Sequence, residues 1–155
     1  MLTLIINYSI LSDTSIFKHF VLKAFFSAVF GFGFGLFVEG FSRIIISFFH
    51  KQEFYFFGIE SLPGFSWILI IYIVSFMATW LGVMLALSMA DPHSKKAFYV
   101  ITSLIIFWII FETLASLKVV PLWYLMTFPI TSLLGLFTAK FTYNLNKTHN
   151  APSDS

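Results

Sequence analysis

An all-α membrane protein, a bundle of four antiparallel transmembrane helices, is the fold class this sequence predicts, and three observations predict it. Hydrophobic residues make up 59% of the 155-residue chain and charged residues only 10%, far from the balance of a soluble domain. Four apolar stretches are each long enough to cross a hydrocarbon core of about 30 Å at about 1.5 Å per residue. Turn formers separate them: Pro63-Gly64, Asp91-Pro92 and Pro121. The 22 Phe agree with this reading, because many stand where a soluble protein places polar residues, which is tolerable only where the surrounding solvent is hydrocarbon.

Residues 1–23 come first. Met1 to Leu11 is apolar but lacks the positive leading region and small-residue cleavage site of a secretory signal. At roughly ten residues it is too short to span, so an N-terminal interfacial segment retained in the mature protein is expected. A transmembrane domain follows over 24–143, with spans near 24–49, 67–89, 98–117 and 122–141. The two short connections force neighbouring helices to run antiparallel. Residues 144–155 are polar and read as a disordered tail.

Lysine placement orients the spans. Lys18, Lys23, Lys95, Lys96, Lys140 and Lys147 fall on one side, Lys51 and Lys118 on the other with Arg43 near the boundary. The lysine-rich side is the cytoplasmic one, which puts both termini in the cytoplasm. Trp67 and Trp123-Tyr124 then begin the second and fourth spans at the outer interface, and Tyr99 and Tyr143 lie near the inner one, as aromatic belts do. A sparse repeat runs through the chain: Glu39, Pro63, Trp67 and again Glu112, Pro121, Trp123, as two pseudo-repeated helical hairpins would give.

The first span carries Ser27, Gly31 and Gly35 at a spacing of four, and the second carries Ala78, Gly82 and Ala86. Helices in lipid gain little from hydrophobic burial against one another, so close backbone approach at small residues supplies much of their association. Counting rise from each end pairs Ser27 with Ala86, Gly31 with Gly82 and Gly35 with Ala78. The alternative is that this stripe faces a second copy of the chain. Gly31, Gly33 and Gly35 follow no strand and sit mid-membrane, so they are no nucleotide loop.

Three charges interrupt the apolar runs: Glu39, Arg43 and Glu112. Ionised groups in a bilayer are costly and mark function by default. Glu39 lies about 22 Å up the first span and Glu112 about 21 Å up the third, so the carboxylates are level in the outer half of the membrane. Arg43 is one turn above Glu39, and its side chain leans back toward the helix N-terminus and that layer. Pro129 falls at a similar depth and frees a backbone carbonyl, while Ser75, Thr113, Thr127, Thr131 and Ser132 offer hydroxyls around it. Two carboxylates about one guanidinium leave a net negative charge, which a proton or a cation must compensate. Glu39 has an in-helix partner at i+4, whereas Glu112 has only Lys118 more than a turn away, so Glu112 is the better candidate for proton exchange or ligand contact. The alternative is a purely structural ion pair that fixes helix register.

Other chemistry is thinly supported. The chain has no Cys, hence no disulfide, thiolate metal site or Cys nucleophile. Its four His, at 19, 50, 93 and 149, lack metal-ligand spacing, so no metal and no cofactor are expected. No aqueous triad or acid pair assigns catalytic residues, and the lysines form no basic patch for nucleic acid. Phe54-Tyr55-Phe56-Phe57 reads as interfacial, or as a lid dipping over the charged layer. Trp80 and Trp108 lie near mid-membrane, where packing is the simpler role and lining a pocket the other.

The leading expectation is a small polytopic membrane protein that binds or translocates a small solute, proton or cation at Glu39, Arg43 and Glu112. The second is a non-catalytic accessory subunit of a larger membrane complex, and the third a membrane-embedded lipid-modifying enzyme. The expected partners are the lipid bilayer and either further copies of the chain or a larger complex, since one short bundle offers little bulk for a rocking transporter. Heavy use of Phe, Ile and Lys with a single Arg suggests an AT-rich genome and hence a bacterial inner membrane.

Overall fold

The computed structural model describes residues 2–50, 64–118 and 120–149. Among these residues the chain forms four helices and no strand: α1 (Leu2–His50), α2 (Phe65–Ala90), α3 (Ser94–Ser116) and α4 (Leu122–His149). All four are long and apolar enough to cross a membrane. The chain is an integral membrane protein.

Two boundaries differ from expectation. α1 is continuous from Leu2, so residues 2–23 are helical in one piece with the first span instead of preceding it as a separate element. α4 runs to His149, carrying into helix the first residues of the tail expected to be disordered from Asn144, because Asn144 to His149 contains neither Pro nor Gly to stop it. Pro63, the Phe54–Phe57 run and residues 150–155 lie outside the described residues.

Each helix buries a narrow stripe and leaves many bulky apolar residues facing outward. On α1 the stripe is Ala24, Ser27, Ala28, Gly31, Gly35, Glu39 and Arg43, while Phe26, Phe30, Phe37 and Phe41 are exposed. On α2 it is Ile71, Ser75, Ala78, Gly82 and Ala86, and on α4 Tyr124, Phe128, Ser132, Leu136 and Ala139. Phe on the outside and Ala, Gly and Ser on the inside is the distribution expected where hydrocarbon is the solvent and backbones must approach closely.

The helices are joined up, down, up, down. α1 and α2 run antiparallel with their stripes in contact, Gly31 against Gly82 and Ala86, and Gly35 against Ala78 and Gly82. A methyl group on Gly82 would lie 2.6 Å from the Gly31 carbonyl oxygen, so only glycine fits there. A second close contact, not anticipated from the sequence, joins α4 to α2, where a Cβ on Gly135 would lie 2.6 Å from the Phe76 carbonyl oxygen. α2 is thus the central helix, packed on α1 and on α4, with α3 laid against α1 and α2. Among the described residues the backbones of α1 and α4 do not touch, and of the pairs that do, α3 and α4 make the loosest contact. The two hairpins suggested by the sparse repeat are therefore not packed alike.

Two apolar clusters fill the interior. One, toward the α2–α3 turn, contains Val83, Leu87, Ile101, Ile105 and Leu136. The other, toward the opposite end, contains Ile68, Ile71, Tyr124, Leu125 and Phe128. At the turn itself Lys23 donates to the Asp91 carbonyl at 2.9 Å, while Lys147 and Tyr143 donate to the Asp91 carboxylate at 2.9 and 3.1 Å. These bonds tie α1 and α4 to the same corner. The hydrogen bonds from Lys147 and then Tyr143 hold the exposed Asp91 carboxyl below the usual carboxylate range.

Candidate functional site

The charged layer is built by α1 and α3. Glu39 and Arg43 occupy successive turns of the buried stripe of α1, with 9% and 3% of each residue exposed. The Arg43 guanidinium turns back along the helix, as side chains on a helix do, and its Nη2 donates to Glu39 Oε1 at 2.6 Å. The same Nη2 donates across to Glu112 Oε1 on α3 at 3.1 Å. Both carboxylates therefore share one nitrogen of one guanidinium. Two buried atoms of this group, Arg43 Nε and Glu112 Oε2, have no hydrogen-bond partner among the described residues. The positions chosen from sequence by depth meet because helical rise is rigid: with the spans beginning at Val21 and Ser94 instead of the expected 24 and 98, Glu39 and Glu112 both lie about 27 Å from the start.

Below this layer the α1–α2 zipper and α3 leave a cavity of about 30 Å³, lined by Glu39 and Glu112 at one end and by Gly31, Gly82 and Ile105 further in. Thr79 and Ser132 add hydroxyls to its wall, and Trp108 and Phe128 add rings. A water needs about 10 to 15 Å³ of such volume, so the space holds one or two waters or a bare monatomic ion. A smaller void of about 10 Å³ on the other side of Glu112 is lined by Thr113, Ser116 and Tyr124.

The remaining hydroxyl positions expected near the site fall elsewhere. Ser75 and Ser132 hydrogen-bond to each other at 3.1 Å between α2 and α4, and only Ser132 reaches the cavity wall. Thr127 is exposed, bonded to Tyr72 and to the Trp123 carbonyl at 2.9 Å. Thr131 donates to the Phe128 carbonyl at 2.7 Å, and Pro129, half-buried, is likewise absent from the lining of either cavity. These residues were selected by depth, which does not specify the direction a residue faces around its helix. Thr113, which borders the smaller void, is the exception.

Tyr124 departs from its expected place. It was expected with Trp123 in the outer aromatic belt, yet Trp123 is 50% exposed and Tyr124 only 4%. Its ring stacks between Tyr72 and Phe128, with centroids 5.7 and 5.9 Å away, and it lies within electrostatic reach of Arg43 and Glu112. The signal for it was present in the sequence: Tyr124, Phe128, Ser132 and Leu136 recur every four residues, the periodicity of a buried face.

Among the described residues no group of three or more His, Asp or Glu is placed to hold a metal ion. Compared with known proteins, the chain matches no family model, no curated protein and no solved structure.

Proposed function

We propose that this membrane protein binds a proton or a small monatomic cation at Glu39, Arg43 and Glu112, as the binding step of its movement across the bilayer. The observation that carries the reading is the sharing of Arg43 Nη2 by two buried carboxylates. One guanidinium balances one carboxylate, and the second charge, in a layer of low dielectric, requires a compensating positive charge. Glu112 is the exchanging member: its contact with Arg43 is the longer one, its Oε2 is without a partner, and it borders both voids. The size of the cavity beside Glu39 and Glu112 suits a proton, carried with water, or a desolvated ion. Within this reading the lysine-rich end faces the cytoplasm of a bacterial cell, and the bundle acts as an oligomer or within a larger complex.

A second reading has its own support. Because Arg43 bridges α1 and α3, the triad also suits a structural staple in an accessory subunit. The two readings part on ligand linkage. A ligand that binds only the folded state raises its stability by about 2.7 kcal/mol at a hundredfold excess over Kd. The melting temperature of the protein in nanodiscs should therefore change with pH, or with Na⁺ or K⁺ against choline at equal ionic strength, and Glu112→Gln should remove that change while remaining folded. In proteoliposomes containing a pH-sensitive dye, or with radiolabelled cation outside, the same substitution should abolish flux. If wild type and Glu112→Gln respond alike in both assays, the staple is correct.

A further inference from the structure

A second, wider cavity lies away from the charged triad. It measures about 230 Å³ and opens between the first turns of α3 and the last turns of α4, the most loosely packed of the helix pairs in contact. Lys95 and Lys140 stand at its rim with Tyr99 and Asn144, and Leu87 and Phe98 line it. Neither lysine is in an ion pair among the described residues. Lys140 instead sits over the Phe98 ring, 4.3 Å from its centroid. The nearby carboxylate, Asp91, is occupied by Lys147 and Tyr143, and no acidic residue lines the cavity. It is thus a cationic recess with an apolar floor at the depth of a membrane interface.

We infer that this recess binds the phosphodiester headgroup of an anionic phospholipid, with Lys95 and Lys140 pairing with the phosphate and Tyr99 and Asn144 offering hydrogen bonds. The apolar faces beside it accommodate the rest of such a ligand: Phe137 and Phe141 on α4, 61% and 64% exposed, run from the recess toward mid-membrane. The volume is below that of a drug-sized pocket, about 300 Å³ or more, so the recess takes a headgroup while the acyl chains remain in the bilayer. Two lysines at the headgroup level favour an anionic lipid over a zwitterionic one. A free phosphate or soluble phosphate ester shares the chemistry of the headgroup but lacks the chains.

The test is native mass spectrometry of the full chain released from nanodiscs containing equal parts dioleoyl-phosphatidylglycerol and dioleoyl-phosphatidylcholine. Phosphatidylglycerol should be retained as a one-to-one adduct in preference to phosphatidylcholine. The double substitution Lys95→Gln, Lys140→Gln should weaken that retention roughly thirtyfold. Lys118→Gln, at the opposite end of the bundle, should leave it unchanged. Both lysines are exposed, and an unaltered melting temperature in neutral detergent would show that the double variant still folds. Equal retention of the two lipids, or retention unaffected by the double substitution, overturns the inference. So does displacement of phosphatidylglycerol by millimolar inorganic phosphate or glycerol phosphate, which would assign the recess to a soluble ligand.

Discussion

Adding a single methyl group at Gly82 should loosen the whole bundle. A Cβ there would lie 2.6 Å from the Gly31 carbonyl oxygen, 3.2 Å from Gly35 Cα and 3.3 Å from Gly35 N. All three are backbone atoms of α1, so no side-chain rotation relieves the clash. Restoring an ordinary separation of about 3.4 Å from the oxygen would require the helices to part by roughly 0.8 Å, and overpacking of this kind costs about 1 to 3 kcal/mol. For a domain of this size that corresponds to about 2 to 12 °C in melting temperature. Gly33→Ala, on the facing helix α1, is the control, since its added Cβ meets nothing within 4 Å and replacing a helical glycine with alanine is favourable by up to about 1 kcal/mol. Thermal unfolding of both variants in the same detergent should therefore show a lower midpoint for Gly82→Ala and an unchanged or higher one for Gly33→Ala. If Gly82→Ala melts with wild type, the close approach of α1 and α2 is wrong.

Other perturbations test the remaining contacts. Arg43→Ala leaves Glu39 and Glu112 buried without their shared partner, and should lower stability by about 3 to 5 kcal/mol in a detergent or denaturant titration. A double-mutant cycle of Ser75→Ala and Ser132→Ala should give a coupling of about 0.6 kcal/mol, the usual worth of a hydrogen bond between transmembrane helices. Because hydrogen bonds from Lys147 and Tyr143 depress the Asp91 carboxyl in the folded protein, its contribution is complete above the ordinary carboxylate range and is lost as pH falls through the lower folded value. Asp91→Asn should therefore flatten stability against pH in the acid range and change nothing in the slope near neutrality. Cysteine at Lys96 should resist a membrane-impermeant thiol reagent in intact cells while cysteine at Lys118 reacts, and the opposite pattern would invert the orientation.

The parts of this structure legible in the sequence are those that a rigid helical rise encodes. Span number, the small-residue stripes of α1 and α2 and the common depth of Glu39 and Glu112 all follow from counting residues at a fixed rise. Direction around a helix is less accessible in a membrane protein, because exposed and buried faces are both apolar and the usual polar-against-apolar contrast is missing. Thr127 lies at the right depth and faces Tyr72, whereas Ser132, one further turn along, reaches the cavity. Residue size carries part of the information instead: on α1 Phe26, Phe30, Phe37 and Phe41 lie outward while Ala24, Ser27, Ala28, Gly31 and Gly35 lie inward. On that basis Gly135 is readable as a member of the inner face of α4, and the four-residue recurrence of Tyr124, Phe128, Ser132 and Leu136 adds Tyr124. The loose approach of α3 to α4, and with it the cationic recess, was not readable, because Lys95 and Lys140 are 45 positions apart and only packing on α2 brings them together.

The central claim is that the charged layer holds an exchangeable positive charge at Glu112, and infrared difference spectroscopy of the protein in nanodiscs tests it most directly. A protonated carboxyl group buried away from water has a carbonyl stretch that a carboxylate lacks. Titrating pH, or adding Na⁺ or K⁺ at fixed pH, should remove one such band in the wild type. Glu112→Gln should lack the band under every condition; to separate the two carboxyls, Glu112→Asp should shift its frequency while Glu39→Asp leaves it where it is in the wild type. A wild-type spectrum with no titrating or cation-sensitive carboxyl band, or a band that persists in Glu112→Gln, would contradict the account.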